Sequence, residues 1–477
     1  MVHPDPRRWW ALALLGAAFF MVILDATIVL TAVPSLQQEL GLSVSGAQWV
    51  LTAYALAFGG LMLFFGRVAD LTGRRRVFMV GLALFALSSL ACGLAGTPEV
   101  LLAGRVAQGV AAAVLSPTAL ALVMIAFPEG PERNKALAVW AALGGVGATA
   151  GLLVGGVITA GLGWEWIFLV NVPVGAALFG FAPFVLRESR DRSGGRVFDP
   201  VGAVTVTAAL ALLVYAAFQA PQRGWLSGAT LGLLAGSALL MVLFVLVERR
   251  SAAPLLPLGL LRIRTVLGGN LVILAAGMAV DGMLFPLTIY AQDVLGYTAL
   301  QFGLASAVMT VMSIVGSFAG QALVTRLGLR PVAAGGMLLI IAGSLLLTGV
   351  SVHGSFAAEL LPGLLVFGPG LGAAFVAAQI AGLTGVHTDK SGVASGLLDT
   401  SFNVGSALGV AVATSVAVAR AESLMDGGVG EQAASNRGFQ AAFAAAAVFA
   451  VMGLAAAVAI LPRSRARADD PAAPVAG

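Results

Sequence analysis

Uncharged runs long enough to cross a lipid bilayer recur along the whole chain, and this pattern constrains the fold more than any other. Between Arg76 and Glu99, and again between Arg223 and Glu248, no side chain carries a charge; from Glu99 to Glu129 the only charge is Arg105. One spanning helix takes ~20 apolar residues, so fourteen spans of ~22 would occupy about 310 of them, most of a chain of 477. Charged residues make up only 10% of the chain and mean hydropathy is +0.98, whereas soluble domains run near ~25% charged. The composition is that of a polytopic membrane protein with short loops.

Apolar runs bounded by charges or turn residues place helices near 9–33, 47–66, 77–96, 100–127, 136–160, 166–186 and 199–219. Seven more fall near 227–247, 265–291, 300–323, 332–350, 356–383, 392–419 and 438–461. The first run exceeds a signal-peptide core and lacks a convincing cleavage site, so it reads as a retained helix. Basic loops stay on the cytoplasmic side. All but four of the 26 lysines and arginines fall on one side of this arrangement: Arg105 lies within a span, and Arg223, Arg420 and Arg437 fall opposite. The span number is then even and both termini are cytoplasmic.

A weak internal repeat divides the chain as six plus two plus six. Leu101 to Arg105 and Gly109 in the fourth span match Leu360 to Leu364 and Gly368 in the twelfth, 259 residues on. Arg326, Gly328 and Arg330 echo the loop after the second span, with Thr325 where Asp70 stood. The reading is an all-α polytopic membrane protein with a cytoplasmic segment at 1–8, an N-terminal six-helix bundle at 9–186, an inserted two-helix hairpin with its flanks at 187–264, a C-terminal six-helix bundle at 265–461 and a disordered cytoplasmic tail at 462–477. Transporters are often built from such repeats, with the site between the halves.

Several chemistries fall away. Cys92 is the only cysteine, which excludes an intrachain disulfide and a Cys-based zinc site; His3, His353 and His387 are scattered, so no metal site is expected. Neither Lys135 nor Lys390 follows a glycine, which removes the phosphate-cradling loop of ATPases. No GxSxG elbow is present. No cofactor, enzymatic activity or nucleic-acid partner is expected, because the net charge of +4 is distributed by topology.

The sharpest motif is Gly66-Arg67-Val68-Ala69-Asp70-Leu71-Thr72-Gly73-Arg74-Arg75-Arg76. A tight glycine turn brings two helices together, and Asp70 can meet a helix N-terminus or an arginine; topology alone needs neither the glycines nor the acid. The motif resembles the GxLaDrxGrrr signature of the major facilitator superfamily. Leu24-Asp25-Ala26-Thr27 through Ala32-Val33-Pro34 is similar to the LDxTvvnvAlP of the fourteen-helix drug/proton antiporters, the EmrB/QacA type, with Leu30 in place of asparagine. Gly147, Gly151, Gly155 and Gly156 follow that family's antiporter motif GxxxGPxxGG, with Leu152 replacing its proline. The stretches Trp164 to Pro173 and Gly392 to Ser401 are also family-like. The resemblance covers essentially the whole chain. It implies a multi-pass protein of the bacterial cell (inner) membrane that exchanges entering protons for a departing amphipathic drug or antibiotic. The alternatives are a lipid, peptide or metabolite exporter, an importer, or a non-transporting scaffold.

Charges within spans persist mainly where they work or are paired, because each costs several kcal/mol. They are Asp25, Arg105, Asp281 and Asp399. Asp25 lies ~12 Å and Arg105 ~8 Å from the outer ends of their helices at ~1.5 Å per residue, so they are expected to form a cavity-side couple that proton or substrate arrival alters. Arg105 maps onto Leu364, so the fold does not require a cation there. Asp281 lies 256 residues beyond Asp25, roughly its counterpart, and either receives a cationic substrate or the proton, or bonds a neighbouring helix while protonated. Asp399, where the family usually has asparagine, extends a proton path or serves the gate, with Asn403 one turn away. Protons are favoured over sodium, which stays open, because the carboxylates have no evident oxygen cluster around them. Gly66, Asp70, Gly73, Arg74 and Arg75 form the expected cytoplasmic gate; Trp9, Trp10, Trp164, Trp166 and Trp225 are expected at the interfaces, as is Glu359.

Overall fold

The computed structural model describes residues 6–42, 44–189, 199–251 and 254–463. Arg190, Arg192, Arg196 and the expected disordered tail beyond Arg463 lie outside the described residues. Fourteen helices among the described residues are long and apolar enough to cross a membrane. They are α1 (Arg8–Thr31), α2 (Trp49–Thr72), α3 (Arg74–Gly93), α4 (Pro98–Ala126), α5 (Pro131–Leu162), α6 (Trp166–Val185) and α7 (Pro200–Arg223). The second seven are α8 (Gly228–Arg250), α9 (Arg264–Val294), α10 (Leu300–Leu327), α11 (Leu329–Leu347), α12 (Phe356–Leu383), α13 (Thr388–Asp426) and α14 (Glu431–Ile460).

Local sequence sets several ends. Pro200 follows Asp199, whose carboxylate accepts the Gly202 N–H at 2.8 Å, while Thr298 and Gln301 cap the start of α10 reciprocally at 3.2 and 2.9 Å. The turns between α2 and α3 and between α10 and α11 are made by Gly73 and Gly328, at φ of +120° and +92°, a region that favours glycine. Several ends differ from the hydropathy reading, most of all where α2 continues past Arg67 to Thr72, α13 continues to Asp426 and α14 already begins at Glu431. Charge ends an apolar run without ending a helix. Ala417, Ala419 and Ala421 carry α13 on past Arg420, and the next glycine is Gly427.

The packing follows the repeat. α1 packs on α5 as α9 packs on α13, α2 on α4 as α10 on α12, and α3 on α4 as α11 on α12. The first of these pairs shares a device, because a Cβ added at Gly147 or Gly151 would meet α1 and one at Gly405 or Gly409 would meet α9. These two glycine pairs are 258 residues apart. Backbones that approach this closely gain packing and interhelical contact where hydrophobicity cannot drive helices together. Helix α4 is at the centre of its half, every residue from Ala111 to Met124 being buried.

Two seams join the halves, α2 with α13 and α5 with α10, and these are counterparts under the repeat. Helix α7 packs on α8 and lies against both α2 and α13, so only one seam is covered by the hairpin. The loop between α7 and α8 also reaches α13, where Trp225 donates to Ser415 at 2.8 Å.

Candidate functional site: a caged ion pair and a latch

Asp25 and Arg105 meet as their depths suggested, with Arg105 Nη1 2.8 Å from Asp25 Oδ2. The pair is enclosed, however, rather than open to a cavity: Asp25 is 0% and Arg105 1% exposed. Neutral amides account for the closure. Asn171 and Gln108 donate to Asp25 Oδ1 at 2.8 and 3.1 Å, and Gln108 Oε1 accepts from Arg105 Nη1 at 2.9 Å. Gln108 also donates to Ser89 at 2.7 Å, and Arg105 Nε donates to the Val50 carbonyl at 3.2 Å. The Tyr54 ring lies 4.2 Å and the Phe168 ring 5.8 Å from the guanidinium carbon. Five helices (α1, α2, α3, α4 and α6) therefore supply partners to one buried charge pair. Such a pair holds only when its remaining hydrogen-bonding capacity is met, since desolvation otherwise outweighs the attraction.

Cys92 is also part of this cage, since its thiol lies 3.4 Å from Gln108 Oε1 and is wholly buried. Gln108 lies one turn after Arg105 and Asn171 stands in the family-like stretch from Trp164 to Pro173, but neither neutral side chain is marked by the sequence as a partner of the pair. At the counterpart of Arg105, Leu364 is a buried core residue, and Asp281 has no cation partner among the described residues. The Asp281 carboxylate on α9 accepts instead from the Ser406 hydroxyl on α13. Asp399 does something different again: it accepts from Ser116 of α4 at 2.7 Å, a hydrogen bond that runs between the two halves. Asn403 donates to the Asp399 carbonyl at 2.8 Å and to Met62 Sδ of α2 at 3.5 Å. Asp281, Asp399 and Asn403 are each half-buried. The four intramembrane charges thus occupy three separate sites.

The glycine-rich motif forms a latch across the α2–α13 seam. Asp70 is 0% exposed and meets both partners open to it: Arg74 Nε donates to it at 2.8 Å, and the Gly392 and Val393 amides at the start of α13 donate at 2.9 and 3.0 Å. A carboxylate at a helix N-terminus answers both the free N–H groups and the helix dipole. Arg74 continues to the carbonyls of Thr388 and Asp389 at 2.8 and 3.1 Å. Gly66 and Gly392 face each other so closely that a Cβ on either would strike the other's carbonyl oxygen. Glu188 caps the neighbouring helix by accepting the Arg75 and Arg76 amides at 3.1 and 3.2 Å. At the counterpart seam Asn134 donates to Thr325 at 3.4 Å and Thr149 and Thr310 share a hydrogen bond, while the Gly385 amide donates to Glu129 at 3.2 Å between the neighbouring loops.

Three of the four antiporter-motif glycines, Gly147, Gly151 and Gly155, form one stripe against α1, whereas Gly156 faces open space. Of the expected interfacial tryptophans, Trp10 and Trp166 are exposed, but Trp164 is buried and donates to Glu39 at 3.1 Å. Glu359 is more than an interfacial charge, because it accepts the amide and hydroxyl of Ser351 at 2.8 and 2.7 Å and closes the turn before α12.

The sequence profile of the Major Facilitator Superfamily matches residues 15–410. The chain belongs to the major facilitator superfamily. It is 39% identical over 455 residues to puromycin resistance protein pur8 of Streptomyces alboniger, covering 94% of this chain and 89% of the relative. Cephamycin export protein CmcT of Amycolatopsis lactamdurans is 40% identical, with 85% and 84% of the two chains covered. Multidrug resistance protein Stp of Mycobacterium tuberculosis is 37% identical, with 85% and 75% covered. The crystal structure of the human organic anion transporter MFSD10 (TETRAN) superposes with a TM-score of 0.66 at 18% identity, covering 95% of this chain and 100% of that one, which shows a common fold. With fourteen membrane-crossing helices and bacterial relatives, this superfamily member is a multi-pass protein of the bacterial inner membrane.

Proposed function

We propose that this protein is a proton-coupled exporter of amphipathic drugs or antibiotics, working by alternating access. The observation that carries the reading is the caged Asp25–Arg105 pair, in which both carboxylate oxygens accept hydrogen bonds, one from the guanidinium and the other from two amides. A proton arriving at Asp25 would cancel the attraction that holds Arg105 and loosen five helices at once, which ties protonation to bundle shape. Relatives whose printed names denote antibiotic export and resistance support the direction and cargo class. Asp281 and Asp399, whose side-chain partners among the described residues are hydroxyls, serve as further proton or cation acceptors, and Asn403 lies beside Asp399 on the same face of α13. These carboxylates stand apart from one another, an arrangement that suits a proton better than sodium, which takes several oxygen ligands. No enzymatic step enters the cycle.

In this reading the end of the molecule bearing the latch is cytoplasmic, as are both termini, and the latch holds the inward side shut. The test is proton movement in reconstituted vesicles with an inside-acid gradient, on adding lipophilic cations, neutral antibiotics and anions in turn. Cargo-triggered proton release is expected from the wild type and not from Asp25→Asn. Coupled exchange of normal stoichiometry in the variant would remove Asp25 from the mechanism.

A further inference from the structure

At the latch end, where α8 leaves the membrane, a cleft of about 790 Å³ opens between the last turns of α8 and the turn at Leu258–Arg262 that leads into α9. Its walls divide by chemistry: Val245, Leu258 and Leu261 line the apolar part, and Arg249 and Arg262 line the polar part with Glu248. Neither Arg249 nor Arg262 has a hydrogen-bond or ion-pair partner among the described residues, and both are exposed. Glu248 does not compete for them. It is 4% exposed, and its two oxygens take the amides of Leu255 and Leu256 at 3.0 and 3.2 Å. The cleft also continues into a lipid-facing surface, because α8 turns Leu239, Val242 and Leu246 outward, 70, 58 and 47% exposed.

We propose that this cleft is a binding site for an anionic phospholipid of the leaflet at the latch end. The phosphodiester sits between the Arg249 and Arg262 guanidinia, and an acyl chain runs down along Val245, Leu258 and Leu261 toward the bilayer. Val245 lies four residues before Arg249, or ~6 Å deeper along the helix, which is the order a headgroup and its glycerol backbone need. Guanidinium forks match phosphate oxygens in pairs, and two of them facing one cleft favour a headgroup of net negative charge over a zwitterionic one, whose own ammonium they repel. The occupant would fasten the hairpin to the start of α9. Glu248 also abuts Gly202 at the start of α7, the helix that lies on both latch helices, so the lipid sits one helix away from the α2–α13 seam. The inference needs only that the chain spans a membrane and does not depend on the cargo or the coupling ion.

The test is native mass spectrometry of the purified full-length protein, delipidated and titrated with phosphatidylglycerol or phosphatidylcholine. Wild type should retain phosphatidylglycerol in preference, and Arg249→Ala/Arg262→Ala should weaken that retention about 10- to 30-fold, given the usual contribution of one basic residue at a charged membrane surface. Leu258→Trp, which fills the apolar half and leaves both charges, should weaken it as well, while Arg250→Ala, outside the cleft, should not. Excess inorganic phosphate should leave the lipid adduct intact. Equal retention of the two lipids, unchanged selectivity in the double variant, or displacement by inorganic phosphate would each overturn the proposal.

Discussion

Replacing Asp70 by asparagine tests the latch quantitatively. The substitution keeps the shape of the side chain and one acceptor oxygen, but removes the charge that Arg74 and the amides of Gly392 and Val393 share, at 2.8, 2.9 and 3.0 Å. Hydrogen bonds to an ionised group contribute ~1.5–3 kcal/mol each, and about half of that survives with a neutral acceptor. Two of these bonds, from Gly392 and Val393, cross the seam, so the net loss there is about 1.5–3 kcal/mol, a shift of roughly 10- to 150-fold toward the unlatched state. A latched population of ~99% would fall to between about two-fifths and nine-tenths. Spin labels at Thr72→Cys and Lys390→Cys, one on each side of the seam and both on exposed residues, would report it as a distance distribution. The native Cys92 is wholly buried and stays unlabelled. A single short distance is expected without the Asp70 change, and a second, longer one with it. An unchanged distribution in Asp70→Asn would refute the argument that this carboxylate holds the seam.

Two further outcomes follow from the packing. Arg105→Leu alone leaves the fully buried Asp25 with amide partners only and should lower the thermal unfolding midpoint by roughly 10 °C, as expected for ~3–5 kcal/mol; adding Asp25→Asn should restore most of it, and a double variant no more stable than the single one would dismiss the pair as the cause. Gly151→Val should force α1 and α5 apart, at a cost of ~1–3 kcal/mol in thermal stability, and reduce drug efflux from cells, whereas Gly156→Val, with open space around it, should be near neutral; equal effects would remove the glycine stripe from the argument.

The helices were legible because a membrane imposes a length on every apolar run, and charge punctuates those runs. What hydropathy does not register is a helix that outlasts its apolar run, which is why the ends of α13 and α14 at Arg420 and Arg437 were misread. The Asp25–Arg105 pair was legible from depth alone, since two isolated charges at matching levels have few other places to go. Its closure was not. Gln108, Asn171 and Ser89 are neutral, and neutral polar residues in an apolar helix do not stand out, yet they decide that the pair is caged and not facing a cavity. The partners of Asp281 and Asp399 were hidden for the same reason, because Ser406 and Ser116 are small hydroxyls on helices distant in sequence. Asp70 was legible in both of its roles, since a helix start and an arginine were the only chemistries its motif offered.

The hairpin gives this transporter a handedness that its two halves, taken together, would not have. The repeat makes the α2–α13 and α5–α10 seams equivalent, but α7 stands against the first alone and Trp225 ties the same hairpin to Ser415. The two flanks of the protein are therefore unequal, one thickened by a further pair of helices and the other without them. The α5–α10 flank has no hairpin against it, and at the latch end the hydrogen bonds between the halves there include Asn134 to Thr325 at 3.4 Å and the Gly385 amide to Glu129 at 3.2 Å. On the other flank α7 touches both α2 and α13, so any movement of one half against the other has to be accommodated at that helix as well.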